Sequence, residues 1–153
     1  MEWLKALEGQ RIALDTAPLI YFIEEHPLYL PLLDPFFEKL DLGKIQIITS
    51  VITLSEVLVK PLREGNNQLA QQYREILYHI DDLTMIEVSF AIAEKTAQLR
   101  SQYSLRTPDA IQMATALQSG ATTLLTNDIR WPTIPHLQIL KLDNLIVQNQ
   151  VVP

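Results

Sequence analysis

The sequence has no cysteine and only four glycines among its 153 residues. The absence of cysteine excludes disulfides, zinc–thiolate sites and a thiol nucleophile. Four separated glycines cannot form the glycine-rich loop that binds phosphate in Walker-type and dinucleotide sites, and there is no Gly-x-Ser-x-Gly elbow. The three histidines, His26, His79 and His136, are scattered and match neither a metal-ligand spacing nor a catalytic-triad spacing.

Long apolar runs are also absent, since none approaches the roughly 20 residues that a membrane-spanning helix needs. The N-terminus is amphipathic, carries two acids and lacks the apolar region of a signal peptide, so we expect a cytoplasmic protein. Length and composition predict one globular domain over residues 1–153, with residues 1–10 as an N-terminal extension. The net charge of −6 argues mildly against a nucleic-acid-binding protein, although bound divalent cations would reduce it.

Strand-like and helix-like segments alternate along the chain, which predicts an α/β fold with a mainly parallel central sheet. Strands are predicted at Arg11–Leu14, Ile45–Thr49, Leu83–Val88 and Thr122–Leu125, with an edge strand within His136–Leu142. Helices are predicted from Pro18 with Thr16 as N-cap, over residues 28–42 with interruptions at Pro31 and Pro35, over 54–63 and 68–80, after Ser89 and from Thr107.

Four acids stand at equivalent places in this pattern. Asp15 and Asp128 each follow an apolar strand, whereas Glu56 and Asp109 lie in the first turns of helices. Because the carboxyl ends of parallel strands meet at one edge of a sheet, we expect the four carboxylates to lie close together. A hard cation such as Mg²⁺ or Mn²⁺ would offset their repulsion, so the sequence predicts a metal-dependent enzyme that acts on phosphate esters.

Each acid also has a structural interpretation when it is considered alone. Asp15 could cap a helix or form a turn, and Thr53 with Glu56 matches a capping box. Asp109 lies where the helix dipole favours an acid, and Asp128 could form an Asx-turn. The joint placement of the four favours the shared site. Trp3 and Trp131 are interpreted as packing or interface residues. The acids that do not follow this pattern are interpreted as solvated surface residues: Glu24, Glu25, Asp34, Glu38, Asp41, Glu64, Glu75, Asp81, Asp82, Glu94 and Asp143.

Over about Arg11 to Leu142 the chain resembles the PIN-domain ribonucleases, specifically the toxins of VapBC-type toxin–antitoxin pairs. The most specific segment is Arg106-Thr107-Pro108-Asp109-Ala110-Ile111-Gln112-Met113-Ala114. The other motifs are Ala13-Leu14-Asp15-Thr16, Ser50-Val51-Ile52-Thr53-Leu54-Ser55-Glu56 and Leu124-Leu125-Thr126-Asn127-Asp128. The chain departs from the family in having Ile129-Arg130-Trp131 where many members carry an aspartate–phenylalanine pair.

This resemblance implies an α/β/α sandwich and Mg²⁺- or Mn²⁺-dependent cleavage of RNA. By the resemblance, Asp15, Glu56, Asp109 and Asp128 are the catalytic and metal-binding residues, and Thr16 or Thr126 supplies a supporting hydroxyl. We expect Asp15 and Asp109 to be direct ligands and Glu56 and Asp128 to hold metal-bound waters or a second ion. The resemblance also implies a cognate antitoxin, and we expect a homodimer.

Alternatives remain open at this level. The chain could be a non-catalytic PIN-like scaffold that acts by protein contact, or a metal-dependent DNA nuclease or phosphatase. Lys60, Arg106 and Arg130 could contact an RNA backbone or be ordinary surface charges. An apolar cluster could be an antitoxin surface, core or a homodimer face, and it comprises Tyr21, Phe22, Leu28, Tyr29, Leu30, Leu32, Leu33, Phe36 and Phe37.

Overall fold

A single five-stranded sheet organises the computed structural model, which describes residues 1–149. The strands are β1 Arg11–Leu14, β2 Gln46–Ser50, β3 Leu83–Ile86, β4 Thr123–Thr126 and β5 Gln138–Lys141. They lie in the order β3-β2-β1-β4-β5, and every neighbouring pair is parallel. The three central strands are buried apart from the first residues of β1 and β2, as expected for a parallel sheet covered on both faces.

Helices cover both faces of this sheet. They are α1 Glu2–Leu7, α2 Thr16–Ile23, α3 Leu30–Asp41, α4 Val51–Arg63, α5 Asn67–His79, α6 Phe90–Gln102, α7 Thr107–Gln118 and α8 Leu142–Asn149. Successive strand residues point to opposite faces, so Ile12 and Leu14 pack with α1–α5 and α8, whereas Ala13 packs with α6 and α7. The predicted α/β/α sandwich with a parallel sheet is therefore confirmed.

Two predicted helix starts were wrong. Helix α2 is capped by Asp15, whose carboxylate accepts from the Thr16 amide, so Thr16 is its first residue and not its cap. The Thr53–Glu56 capping box does not form, because Ser50 caps α4 three residues earlier by accepting from the Ile52 amide. The hydroxyl of Ser50 reaches an unpaired amide as soon as β2 ends, which leaves Thr53 buried inside the helix.

The prolines of α3 do not interrupt it, contrary to the prediction. Pro31 lies at the second helical position, where no intrahelical amide bond is needed. Pro35 lies inside the helix and removes one hydrogen bond. The helix continues because it buries Leu33 and Phe36 completely in the core on either side of Pro35, and this packing offsets the lost bond.

The two terminal helices were not predicted. Helix α1 buries Trp3, Leu4 and Leu7 against the core, and the Trp3 ring stacks on Phe36 with centroids 6.2 Å apart. At the other end the edge strand stops at Lys141, before the predicted limit of Leu142, and α8 follows at once. No helix within residues 1–149 is long and apolar enough to cross a membrane.

The apolar cluster predicted between residues 17 and 63 is largely core. Tyr21 and Phe22 are only partly buried, yet their rings stack on Tyr29 at 4.4 Å and on Phe37 at 4.0 Å. Leu28 is exposed over 49% of its surface. The buried members are Tyr29, Leu32, Leu33, Phe36 and Phe37.

Candidate functional site

All four predicted site acids line one open pocket of about 400 Å³ at the carboxyl edge of the sheet. Asp15 follows β1 directly, and Asp128 lies two residues beyond the neighbouring strand β4. Glu56 lies in the second turn of α4 and not in a first turn as predicted, because Ser50 starts this helix immediately after β2. Asp109 lies in the first turn of α7. The remaining lining residues are Thr16, Ala17, Ile20, Arg106, Asn127 and Ile129.

Asp15 is the buried acid of the pocket, with 9% of its surface exposed. Leu14 and Leu125 are partners in the sheet register, so Asp15 stands beside Thr126. Thr126 Oγ1 donates to Asp15 Oδ2 at 2.7 Å, and the Thr16 amide donates to Asp15 Oδ1 at 2.8 Å. Burial raises the pKa of Asp15 to about 6, the charges of Asp109 and Glu56 add to the rise, and the two hydrogen bonds only partly oppose it.

Arginines pair with two of the other acids. Arg106 Nε lies 3.2 Å from Asp109 Oδ2. Arg130 donates to the Asp128 carboxylate from both Nε and Nη2, and the shortest contact is 2.7 Å. These hydrogen bonds lower the pKa of Asp128. Both arginine side chains are more than 60% exposed, so these ion pairs contribute little to stability and can exchange partners.

Glu56 is held by a threonine rather than by an arginine. Thr16 Oγ1 donates to Glu56 Oε1 at 2.8 Å, so the two hydroxyls expected to support the site both bond to site carboxylates. Below Thr16 lie three buried polar side chains that the sequence analysis did not assign to the site: Thr49, Thr53 and Gln112. Gln112 could have been suspected, because it is a long polar residue at a buried position of α7, where the other buried residues apart from Thr115 are apolar.

The donor set suits a hard divalent cation in chemistry and charge. Four carboxylates line one pocket, and Asp15 is repelled by two of them, which a cation would relieve. As the side chains stand, no three Asp, Glu or His residues within 1–149 converge closely enough to form a metal cage. The carboxylates of Asp109 and Asp128 are instead turned toward arginines, and a cation would have to draw them away from these partners. Asp15 and Glu56 are bonded to threonines.

Other predicted roles near the site differ in outcome. Lys60 does not line the pocket; its ammonium lies 3.7 Å from Glu24 Oε1. Glu24 and Asp143 are not simply solvated, because each accepts a hydrogen bond of 2.6 Å from a tyrosine hydroxyl. The packing interpretation of both tryptophans is confirmed, since Trp131 is 4% and Trp3 is 9% exposed.

Comparison with known proteins gives consistent similarities. The sequence model of the PIN domain matches residues 12–137. A toxin–antitoxin complex from Klebsiella pneumoniae is similar at 27% identity and a TM-score of 0.64, covering 82% of this chain and 94% of that one.

Two further structures share the fold at lower identity. VapBC2 from Rickettsia felis, bound to a DNA fragment from its promoter, has 22% identity and a TM-score of 0.64, covering 86% of this chain and 98% of that one. VapC20 from Mycobacterium tuberculosis, a toxin that cleaves the sarcin–ricin loop, has 14% identity and a TM-score of 0.61, covering 74% and 86%. None of the curated proteins matched the sequence.

Proposed function

The chain belongs to the PIN-domain family, and from that membership we propose that it is a divalent-metal-dependent endoribonuclease and the toxin of a toxin–antitoxin pair. One observation carries the proposal: four carboxylates from four separate segments line one pocket at the carboxyl edge of the sheet. The pocket is open, so an extended phosphodiester chain can reach it from solvent. A purely structural arrangement would gain nothing from burying Asp15 near two further negative charges.

In this proposal Asp15 and Asp109 would hold Mg²⁺ or Mn²⁺ directly, and Glu56 and Asp128 would hold metal-bound waters or a second ion. The cation would lower the pKa of a water and neutralise charge that develops on the phosphate. Thr126 and the Thr16 amide fix both oxygens of Asp15, so this carboxylate keeps one orientation. Thr16 holds Glu56 in the same way.

Arg106 and Arg130 are the cations that we assign to the RNA backbone. Both bond to site carboxylates and are exposed enough to turn toward a phosphate. Their guanidinium groups match the geometry of phosphate oxygens as well as that of carboxylates. A divalent cation bound by Asp109, with Asp128 holding one of its waters, would compete with Arg106 and Arg130 for these carboxylates, and the two arginines would then be available for the substrate.

The proposed partner is an antitoxin protein. The Klebsiella pneumoniae structure, similar over 82% of this chain, is a toxin–antitoxin complex, and the Rickettsia felis structure is a VapBC pair. A free ribonuclease would damage the RNA of its own cell, so an inhibitory partner is also expected on biological grounds. The product of a neighbouring small gene should copurify with this chain and suppress its cleavage of RNA; cleavage at the uninhibited rate in the copurified complex would contradict the proposal.

The nuclease proposal is tested by comparing three substrates at the same Mg²⁺ concentration. Purified protein is incubated with labelled single-stranded RNA, DNA of the same sequence and a nitrophenyl phosphate ester, each with and without EDTA. We expect cleavage of the RNA only, abolished by EDTA. Cleavage of DNA would indicate a DNA nuclease, release of nitrophenol a phosphatase, and no reaction with any substrate a non-catalytic scaffold.

A further inference from the structure

A buried chain of hydrogen bonds lies directly beneath the pocket and links helices from the two layers of the sandwich. Gln112 on α7 donates from Nε2 to Thr53 Oγ1 on α4 at 2.7 Å. Thr53 and Thr49 share a contact of 2.7 Å, and Thr49 Oγ1 donates to the Leu14 carbonyl at 2.7 Å. These three side chains are no more than 3% exposed.

The spacing of residues on the two helices explains why this series of hydrogen bonds reaches the site. Thr53 and Glu56 are three residues apart on α4, and Asp109 and Gln112 are three residues apart on α7. Residues at this spacing share a helix face. Each helix therefore presents an acid to the pocket and, one turn away, a polar side chain to the other helix.

The direction of each hydrogen bond in this network can be assigned, because each threonine hydroxyl has a single hydrogen to donate. The single hydroxyl hydrogen of Thr49 is given to the Leu14 carbonyl, so Thr53 must donate in the Thr49–Thr53 contact. Thr53 then has no hydrogen left and accepts from Gln112. The Gln112 amide is oriented by its other atom, because Oε1 accepts from the Ser50 amide at 3.4 Å.

This assignment fixes the role of Thr16. Its Oγ1 donates at 3.4 Å to Thr53 Oγ1, which can only accept because its own hydrogen is given to Thr49. The single hydroxyl hydrogen of Thr16 is shared between this long contact and a shorter one of 2.8 Å to Glu56 Oε1, so Thr53 and Glu56 together set the direction of the hydroxyl. Glu56 is a long, exposed side chain, and among the described contacts this is the hydrogen bond that directs its carboxylate.

We infer that Thr53 and Gln112 are positioning residues that, through Thr16, fix the direction in which Glu56 presents its carboxylate to the pocket. The inference deepens the proposed function and rests on it for the role of Glu56 in metal binding. Neither residue lines the pocket, so both act through Thr16. Residues that orient metal-binding side chains typically change affinity or rate by roughly 10–100-fold when they are removed.

The first experiment measures Mn²⁺ affinity, from the EPR signal of the free ion, and the kinetics of RNA cleavage. We expect Thr53→Val to weaken Mn²⁺ binding and lower kcat by about tenfold with little change in the KM for RNA, and Thr53→Ser to restore both to within about twofold. Thr115→Val is the matched control, because Thr115 is similarly buried and, within residues 1–149, its side chain bonds only to Ile111 O of its own helix at 2.7 Å. Equal effects of Thr53→Val and Thr115→Val on Mn²⁺ affinity would overturn the inference.

A second variant keeps the test decisive if Thr53→Val does not fold. Gln112→Met preserves the side-chain volume and removes the donor to Thr53 together with the long contact to the Ser50 amide, and we expect it to lower Mn²⁺ affinity several-fold. In a Thr16→Val background, where the link to Glu56 is already cut, Gln112→Met should change the affinity by less than twofold. An equal loss in both backgrounds would show that Gln112 does not act through Thr16.

Failure of the proposed function can be distinguished from failure of this inference. If the wild-type protein binds Mn²⁺ but cleaves no RNA, the ribonuclease proposal fails while the affinities still decide the role of Thr53. If it binds no metal, melting temperatures decide: the shifts caused by Thr53→Val and Glu56→Ala should be non-additive, and those of Thr115→Val and Glu56→Ala additive. Additive shifts in both pairs would refute the link.

Discussion

The four acids of the pocket do not share one environment. Asp15 is buried and its pKa is raised to about 6, whereas hydrogen bonds from the exposed Arg130 lower the pKa of Asp128. The difference follows from solvation: desolvation disfavours the charge of Asp15, while Asp128 is near the surface and has a guanidinium partner. A cation would therefore relieve the largest electrostatic cost at Asp15.

Replacement of one acid by its amide tests the catalytic assignment. Asp109→Asn keeps the shape of the side chain and removes a charge, so we expect the protein to fold and the rate of RNA cleavage to fall at least about tenfold. Asp34→Asn is the control, because Asp34 is exposed on α3 and does not line the pocket. Cleavage by Asp109→Asn at the rate of the control would remove Asp109 from the proposed mechanism.

The raised pKa of Asp15 predicts a pH dependence of stability in EDTA. Between about pH 4 and pH 6 the folded protein keeps a proton on Asp15 that the unfolded chain has lost, so the free energy of unfolding falls as pH rises. The loss is complete above the folded pKa and is on the order of 2–3 kcal/mol. Denaturant unfolding at a series of pH values should show this fall in the wild type and a smaller one in Asp15→Asn; identical slopes would contradict the assignment.

At the scale of elements, the site depends on where helices begin. Asp15 and Ser50 each cap the helix that follows their strand, and α7 begins at Thr107, two residues before Asp109. Asp15 and Asp109 thus stand at helix starts on the same edge of the sheet, and Glu56 reaches that edge from the second turn of α4. Helix α1 does not contribute to the pocket. It packs Trp3, Leu4 and Leu7 into the hydrophobic core.

This role of α1 predicts that the segment before the first strand is needed for stability. Leu7 is 2% exposed, so Leu7→Ala should lower the free energy of unfolding by about 2–5 kcal/mol through lost burial and a cavity. Leu42→Ala is the control, since Leu42 is 62% exposed and its loss should cost less than about 0.5 kcal/mol. Similar midpoints of urea unfolding for the two variants would show that α1 contributes little.

At the scale of the whole molecule, charge opposes the proposed substrate. The chain has 18 acidic and 12 basic residues and a net charge of −6, which repels a polyanion. Four of the acids line the pocket itself. Divalent cations would thus serve the folded protein twice, by offsetting repulsion within the pocket and by reducing repulsion of RNA.

Metal binding should therefore appear as a stability change of the whole protein. Mg²⁺ at 100 times its dissociation constant should raise the free energy of unfolding by about 2.7 kcal/mol, whereas NaCl of the same ionic strength should not. The effect should be much smaller in Asp109→Asn, which should itself melt at a higher temperature than the wild type in EDTA because one like charge is gone. Equal Mg²⁺-induced shifts in melting temperature for both proteins would place the ion outside this pocket.

Sequence alone determined the fold class and the set of acids that meet. The period of the apolar residues marked the strands and most helices, and the alternation of these elements specified a parallel sheet. In a parallel sheet all carboxyl ends lie at one edge, so residues such as Asp15 and Asp128 could be placed together without coordinates. Local turn chemistry was predictable where one residue had no competitor, as with Ser89, which caps α6.

Only the tertiary structure decided which contacts those residues make. Thr53 and Glu56 fit a capping box in sequence, but in the structure Ser50 caps the helix instead. Thr53 is therefore buried inside the helix and accepts a hydrogen bond from Gln112, 59 residues away. Helix α1 is too short to be stable alone and exists because Trp3 packs on Phe36. Hydrogen bonds between distant segments and burial against a completed core depend on how all the helices and strands pack together. A local sequence pattern does not contain that information.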